Sequence, residues 1–146
     1  MVTIRVRRVG SRGPPLELPR YETDGSAGMD LRADEAFSLA PGERRLVPTG
    51  VAVEIPPGHE GSVRPRSGLA IRHGVGMVNA PGTVDSDYRG ELAIILVNHG
   101  QEPVSFGRGE RIAQLVIAPV VRAKLELVEA LSETDRGHGG FGSTGQ

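Results

Sequence analysis

The stretch RRLVPTGVAVEI, residues 44–55, indicates how this chain folds. Val51, Val53 and Ile55 recur at every second position near its end, so they lie on one face of a β-strand. Short strands separated by turn residues are typical of an all-β sandwich or barrel. Four further β-rich runs support this prediction: residues 2–9, 61–67, 90–98 and 110–121.

Glycine and proline, 21 and 11 residues respectively, punctuate these runs throughout the chain. The runs ELAIILV (91–97) and IAQLVIAPVV (112–121) are more continuously apolar, which predicts central strands or strands buried on both faces. One short helix is expected in SGLAIRHG (67–74), with Ser67 as its N-cap and Gly74 as its stop. Residues 124–133 fit a strand or a helix, and their alternating leucines favour a strand.

The composition predicts one domain with its own hydrophobic core. A chain of 146 residues can bury roughly 70% of the surface that its unfolded form exposes. It contains no cysteine, and its four histidines lie far apart, so neither a disulfide framework nor a metal-ligand spacing is indicated. The net charge of −1 argues against nucleic-acid binding. With no apolar run of signal-peptide or membrane-span length, we expect a cytoplasmic protein without a membrane partner.

The last residues, RGHGGFGSTGQ (136–146), differ in composition from the rest of the chain. Five of these eleven residues are glycine and only one is a large apolar residue, so the segment cannot bury enough surface to hold itself in place. We therefore expect a β-rich domain over residues 1–135 and a flexible C-terminal arm over residues 136–146.

This arm nevertheless carries groups that suit a nucleotide. The guanidinium of Arg136 can bind phosphate oxygens in a bidentate manner, and the hydroxyls of Ser143 and Thr144 can donate hydrogen bonds to them. Phe141 can stack on a flat ring. On composition alone, a disordered tail without a ligand explains the segment as well.

The segment NAPGTVDSDYRGEL, residues 79–92, predicts a β-hairpin, because turn residues stand between apolar flanks. It concentrates charge around Asp85 and places Tyr88 among the charged residues. Tyr88 and Phe141 both lie in polar, glycine-containing surroundings, and aromatic residues spared from the core are typical of ligand contacts. The alternative is a solvated charged turn.

Two shorter motifs suggest an anion site and a cation site. RPRSGLA (64–70) places Arg64, Arg66 and Ser67 at the start of the expected helix, which suits an anion; the alternative is an ordinary capped helix with surface arginines. AGMDLRA (27–33) places Asp30 between apolar residues, where it serves either as a structural turn aspartate or as a ligand to a hydrated cation.

Taken together and in this order, five segments closely resemble the trimeric dUTPase family. The resemblance implies a β jelly roll assembled as a homotrimer, with the C-terminal arm of one chain closing over an active site formed by others. It implies hydrolysis of dUTP to dUMP and pyrophosphate, which limits uracil incorporation into DNA and supplies dUMP for dTMP synthesis. The segments are AGMDLRA (27–33), RPRSGLA (64–70), NAPGTVDSDYRGEL (79–92), GERIAQLV (109–116) and RGHGGFGSTG (136–145).

The resemblance also implies roles for residues around the nucleoside. Asp85 would activate the water that attacks the α-phosphorus, and its carboxylate could also accept a hydrogen bond from the sugar 3′-hydroxyl. Tyr88 would pack against the deoxyribose and leave no room for a 2′-hydroxyl. Asn79 and the hairpin backbone at Gly82 and Val84 would bind the uracil edge and exclude the methyl group of thymine.

Around the phosphates the resemblance implies a second set of roles. Mg²⁺ would be chelated mainly by the triphosphate, with Asp30 contacting its water shell. The arm would complete the site, with Phe141 covering the uracil ring. The residues expected to bind phosphate are Arg66, Ser67, Gly68 and Gln114 from the domain, and Arg136, Gly142, Ser143 and Thr144 from the arm.

Two other functions are weighed against this interpretation. The dCTP deaminase family shares the fold, but its catalytic glutamate corresponds to Ile95, and an isoleucine cannot transfer a proton. A non-catalytic trimeric nucleotide-binding or interaction protein is compatible with the fold alone. Such a protein needs neither Asp85 nor an intact arm.

Overall fold

The computed structural model describes residues 1–142 and contains ten β-strands and one α-helix within that range. The strands are short, apart from the two long runs that the sequence indicated at 44–55 and 110–121. In chain order the elements are β1 (Arg5–Arg8), β2 (Met29–Arg32), β3 (Phe37–Leu39), β4 (Arg44–Glu54), β5 (His59–Pro65), α1 (Ser67–His73), β6 (Val75–Met77), β7 (Gly82–Val84), β8 (Glu91–Asn98), β9 (Val104–Phe106) and β10 (Arg111–Pro119).

Two four-stranded antiparallel sheets pack against each other. One has the strand order β1-β4-β8-β6 and the other β2-β10-β5-β7, while β3 and β9 form a separate pair. The central positions of β8 and β10 confirm what their apolar runs predicted. Ile94 and Leu96 from the first sheet share one core cluster with Leu31, Ile112 and Leu115 from the second. The all-β, jelly-roll-like sandwich with one short helix is therefore confirmed.

Burial of this core supplies the main stabilising term. Leu31, Leu39, Ile94, Leu96 and Ile112 are each at most 1% exposed, and full burial of such a side chain is worth about 1.5–3 kcal/mol. Within residues 1–142, the short α1 is neither long nor apolar enough to cross a membrane.

The short helix α1 ends as predicted but begins differently. Gly74 has a left-handed backbone (φ 67°) and its N–H donates to the carbonyl of Ala70 at 2.9 Å, so this glycine is the expected stop. The prediction of Ser67 as N-cap was wrong, because Arg66 holds that position with an extended backbone and no side-chain capping bond. Arg66 directly follows β5, so its extended conformation continues from the strand.

The segment 79–92 is not a β-hairpin, contrary to the prediction. Its first strand, β7, pairs with β5 through Gly82–Val63 and joins one sheet. Its second strand, β8, pairs with β4 and β6 in the other sheet. Each strand buries its apolar residues in a different layer, so the loop between them crosses from one sheet to the other. Here we call residues 79–92 the crossing segment.

The strand predicted over residues 124–133 was also wrong. The last strand ends at Pro119, and residues 120–134 contain neither strand nor helix. Their apolar side chains have no neighbours to cover them: Leu125 is 93% exposed and Leu127 is fully exposed. An isolated strand without a sheet to pair with is not stable.

Candidate functional site

A buried carboxylate brings three of the sequence motifs together. Asp30 on β2 is only 7% exposed, and its Oδ1 forms an ion pair with the Nε of Arg66 at 3.1 Å. The Nη1 of Arg111 donates to its other oxygen at 3.1 Å, and the Nε2 of Gln114 lies 3.5 Å from Oδ1. These contacts arise because β10 lies between β2 and β5, which pairs Gln114 with Asp30 on one side and with Arg64 on the other.

One interpretation of the motif made Asp30 a structural turn residue, but the structure places it elsewhere. It lies in a strand, where one oxygen accepts a hydrogen bond from Arg111 and the other forms an ion pair with Arg66. Two positive partners offset the cost of removing this carboxylate from water. Asp30 therefore holds Arg66 in a defined orientation. We call Asp30, Arg66, Arg111 and Gln114 the Asp30 cluster.

A strongly basic groove opens beside the Asp30 cluster. Ser67 and Gly68 stand next to it at the beginning of α1, where the guanidinium of Arg72 packs over Gly68. A Cβ at that glycine would lie 3.0 Å from Arg72 Nη2. Guanidinium groups in this density suit the oxygens of a polyphosphate. The charged residues that line the groove are Arg32, Arg66, Arg72, Arg108 and Arg111, with Glu110 as the acidic member of the lining.

A second pocket forms at the crossing segment. It has a volume of about 170 Å³. Its deep walls are apolar, since Val63, Met77 and Leu92 are all buried. This combination of an apolar interior and a polar rim suits a flat heterocycle with hydrogen-bonding edges. The five residues predicted here from the sequence all line it: Asn79, Gly82, Val84, Asp85 and Tyr88.

Asp85 and Tyr88 differ in how they are held at the rim of this pocket. The Asp85 side chain is exposed and makes no hydrogen bond or ion pair with the described residues, so its carboxylate is available to a water molecule. Tyr88 is fixed, because its hydroxyl donates to the carbonyl of Glu91 at 3.0 Å. Its ring lies across Gly90, where any Cβ would overlap the hydroxyl.

The pocket and the Asp30 cluster lie apart within one chain. Val84 pairs with Gly61 on β5. Arg66 lies five residues after Gly61 along the extended chain, so the distance between these two residues is about 17 Å at the usual strand rise. Asp85 continues from Val84 in the opposite direction, since β5 and β7 are antiparallel. The chain therefore holds two separate regions that each contain part of the predicted set of residues, and we call these two regions the half-sites.

The C-terminal arm lies away from both half-sites. Arg136 donates from Nε to the carbonyl of Gly139 at 3.0 Å, and Phe141 is fully exposed. Neither residue, nor Gly142, lines the basic groove or the pocket. Ser143 and Thr144, which were predicted to bind phosphate, lie outside the described residues.

Sequence reasoning missed Arg111 as a member of the Asp30 cluster. In a regular strand, residues three apart point to opposite faces, so Arg111 and Gln114 were not expected to share a partner. The ladder between β10 and β2 shifts register between Arg111 and Ala113. This irregularity turns both side chains towards Asp30.

Comparison with known proteins gives consistent results across nearly the whole chain. A family model described as dUTPase matches residues 15–145. The deoxyuridine 5′-triphosphate nucleotidohydrolase of Anaeromyxobacter sp. (strain Fw109-5) is 79% identical over 145 residues and covers 99% of each chain. The protein of the same name from Methylocella silvestris is 57% identical over 148 residues, covering 99% of this chain and 92% of the relative.

Solved structures show the same similarity at lower identity. The Staphylococcus bacteriophage 80alpha dUTPase with dUPNHPP has a TM-score of 0.90 at 28% identity and covers 99% of both chains. A mutant dUTPase from phage phi11 of S. aureus, described as revealing the coordination of a structural Mg(II) ion, has a TM-score of 0.79 at 25% identity. It covers 88% of this chain and 97% of its own.

Proposed function

The chain belongs to the dUTPase family, and from that premise we propose how its residues hydrolyse dUTP to dUMP and pyrophosphate. No comparison favours a non-catalytic nucleotide-binding protein, since the relatives are named as nucleotidohydrolases. The deaminase alternative also gains no support. Ile95, at the position of the deaminase glutamate, is a half-buried aliphatic side chain on β8.

The observation that carries the mechanism is the exposed carboxylate of Asp85, which lies at the rim of an apolar pocket and is unpaired among the described residues. In the proposed reaction, Asp85 accepts a proton from a water molecule as the water oxygen bonds to the α-phosphorus. The bond from that phosphorus to the bridging oxygen breaks, and pyrophosphate leaves with the electron pair. The proton on Asp85 is then released to solvent.

The crossing segment would bind the nucleoside. Its buried backbone at Gly82 and Val84, together with the Asn79 amide, offers donors and acceptors to the uracil edge above apolar walls. Tyr88 would pack against the deoxyribose. Its hydroxyl is already engaged by the Glu91 carbonyl, so its ring stays in place against an added 2′-hydroxyl.

The Asp30 cluster and the start of α1 would bind the phosphates. Arg66 and Gln114 are oriented by Asp30, and Ser67 and Gly68 add a hydroxyl and an open backbone. When bound, magnesium would neutralise charge on the triphosphate that holds it. Residues 1–142 contain no group of three His, Asp or Glu residues that could hold a metal ion by themselves. A metal carried by the triphosphate would not need such a group, and Asp30 Oδ2, which accepts only from Arg111 among the described residues, would have a second lone pair for a metal-bound water.

The separation of the two half-sites supports an oligomer with shared active sites, and the family resemblance makes a homotrimer the oligomer we propose. Asp85 and Arg66 would have to meet at one triphosphate, yet the register separates them by about 17 Å or more in one chain. A second chain can bring its own Arg66 to the Asp85 of the first. The exposed segment 120–134 and the arm 136–146, with Arg136, then reach a neighbouring site, where Phe141 would cover the uracil.

The test of catalysis compares two aspartates of the crossing segment. Asp85→Asn should lower turnover of dUTP by about 10²-fold or more, the usual scale for loss of a general base. Asp87→Asn is the matched control, because it changes an exposed aspartate two residues away, and it should keep most activity. Pyrophosphate release is measured with dUTP, dTTP, dCTP and UTP. Near-normal turnover by the Asp85 variant would contradict the assignment.

The test of assembly is complementation. Asp85→Asn chains are mixed with chains truncated after Asp135, so that each parent lacks a different part of the site. Some mixed trimers then contain one complete site, and activity should reappear. Mixed trimers that form but stay inactive would argue for sites built within one subunit.

A further inference from the structure

A network of four charged side chains links the N-terminal segment to the crossing segment. The guanidinium of Arg12 binds Glu91 with two parallel bonds, Nη1 to Oε1 at 2.8 Å and Nη2 to Oε2 at 3.1 Å. The same Nη1 lies 3.1 Å from Oδ2 of Asp34, which is almost fully buried. On its other side, Asp34 accepts from Nη2 of Arg108 at 2.6 Å.

Backbone groups around this network fix the positions of its side chains. The N–H of Gly50 donates to Glu91 Oε1 at 2.9 Å, and a Cβ at that glycine would lie 2.7 Å from the Asp34 carboxylate. The guanidinium of Arg108 also donates to the carbonyl of Pro14 at 2.8 Å. Hydrogen bonds to Glu91 and then to Asp34 raise the pKa of Arg12 above its ordinary value. Arg12 therefore remains charged at any working pH.

Glu91 joins this network to Tyr88. Its carboxylate is held by Arg12, and its backbone carbonyl accepts the only hydrogen bond that the Tyr88 hydroxyl makes among the described residues. Tyr88 lies across Gly90, so its ring position depends on where the backbone of residues 90 and 91 is fixed. Bidentate Arg–carboxylate bonds define both distance and direction.

We propose that Arg12 is a positioning residue for sugar selectivity, acting on Tyr88 through Glu91. This inference rests on the proposed contact between Tyr88 and the deoxyribose. Without the guanidinium of Arg12, the start of β8 loses the two bonds that fix the Glu91 carboxylate. The Tyr88 ring can then move away from the space that a 2′-hydroxyl would occupy. Discrimination against ribose should then weaken more than turnover of dUTP.

The test compares the specificity constants for UTP and dUTP in a set of variants. Arg12→Ala should raise the UTP-to-dUTP ratio of kcat/KM by about tenfold, the effect expected from losing roughly one hydrogen bond to a charged group. Its kcat for dUTP should change little, while KM rises. Arg12→Lys should restore selectivity only in part, because an ammonium cannot make two parallel bonds.

Arg5→Ala is the matched control. It removes another arginine–glutamate pair of the N-terminal region, from Arg5 Nη1 to Glu54 Oε1 at 3.3 Å, which is exposed and does not touch the network. The UTP-to-dUTP ratio of kcat/KM in Arg5→Ala should equal that of the unaltered protein. Glu91→Gln keeps the shape of the side chain and removes its charge, so it should give an intermediate ratio. If Arg12→Ala does not fold, Arg12→Lys and Glu91→Gln decide the question.

A spectroscopic measurement separates positioning of Tyr88 from a general loss of stability. The chain has two tyrosines and no tryptophan, so in a Tyr21→Phe background Tyr88 is the sole source of tyrosine fluorescence. Arg12→Ala should increase quenching of this fluorescence by acrylamide and lower its anisotropy. Arg5→Ala in the same background should leave both unchanged.

The outcomes distinguish this inference from the proposed function. If Tyr88→Ala raises the UTP-to-dUTP ratio and none of the Arg12 and Glu91 variants does, the inference is overturned and the sugar contact of Tyr88 stands. If Tyr88→Ala leaves the ratio unchanged, the proposed sugar contact fails and the inference fails with it. Equal ratios in Arg12→Ala and Arg5→Ala also overturn it.

Discussion

Replacing Asp30 by asparagine should both destabilise the protein and weaken its use of dUTP. The side chain is only 7% exposed, and each of its two oxygens forms an ion pair with an arginine at 3.1 Å. Asparagine has the same shape but retains a single acceptor oxygen, so its amide N–H group must face one of the two guanidinium groups. The variant therefore loses one charge-assisted bond and gains an unfavourable contact.

The size of the effect follows from those contacts. Removing one partner of a buried ion pair costs about 3–5 kcal/mol, and one hydrogen bond to a charged group about 1.5–3 kcal/mol. The side chains of Arg66 and Arg111 are 22% and 44% exposed, so water can partly replace the lost carboxylate. We expect the free energy of unfolding to fall by about 2–3 kcal/mol, near the lower end of these ranges.

Two assays separate the structural effect from the functional one. Urea unfolding is measured at one fixed protein concentration, because the stability of an assembled protein depends on concentration. Kinetics with dUTP should show a rise in KM, since Arg66 no longer has a fixed orientation. Asp24→Asn, at an exposed turn, is the control and should change neither quantity. An Asp30→Asn protein with unaltered stability and KM would refute the view that this carboxylate holds Arg66.

Three further changes test other parts of the structure. Deleting residues 136–146 should leave the unfolding midpoint nearly unchanged but sharply reduce turnover, because closure of an arm excludes water from the site; full activity after truncation would contradict this. Phe141→Ala should weaken binding of a non-hydrolysable dUTP analogue, measured by calorimetry, by about 1–3 kcal/mol, the range for one base–aromatic stack. Gly74→Ala should lower the free energy of unfolding by at least 1 kcal/mol, since its φ is 67° and a Cβ would lie 2.7 Å from the amide nitrogen of Gly100. Gly25→Ala, where a Cβ meets no atom within 4 Å, is the control in the same urea assay.

The long strands were predictable because each contains enough residues to show a pattern. Strand β4 alternates over Val51 and Val53, a pattern that continues to Ile55 just beyond its end, and β8 and β10 are apolar enough to indicate central positions. The strands β3, β6, β7 and β9 have only three residues each, which is too few for a periodicity of two to be recognised. Strands β6 and β7 form because each pairs with a longer strand, and β3 and β9 form because they pair with each other. The crossing segment was mistaken for a hairpin for the same reason, since β7 finds its partner in β5, not in the strand that follows it.

The candidate site was predictable residue by residue but not in its arrangement. The short motifs identified Asp30 and Arg66, the family resemblance added Gln114, and the structure brings the three together. Arg111 entered this cluster through a register shift in β10, which no alternation along the sequence reveals. The link from Arg12 to Glu91 joins residues 79 positions apart. Contacts at that distance depend on tertiary packing, so local sequence patterns carry no information about them.

The failed strand prediction over residues 124–133 has a physical explanation that bears on assembly. The apolar side chains of Val121, Leu125, Leu127 and Leu131 are each at least 86% exposed, and burying one such side chain is worth about 1.5–3 kcal/mol. Ordering each residue of the backbone costs about 1–2 kcal/mol, so these side chains can stabilise a strand only if backbone hydrogen bonds to another strand are added. Residues 120–134 belong to no strand among the described residues, so the prediction was wrong for the single chain. In the homotrimer proposed above, the alternating leucines would have a neighbouring subunit to pack against, and that burial would offset part of the cost of ordering them.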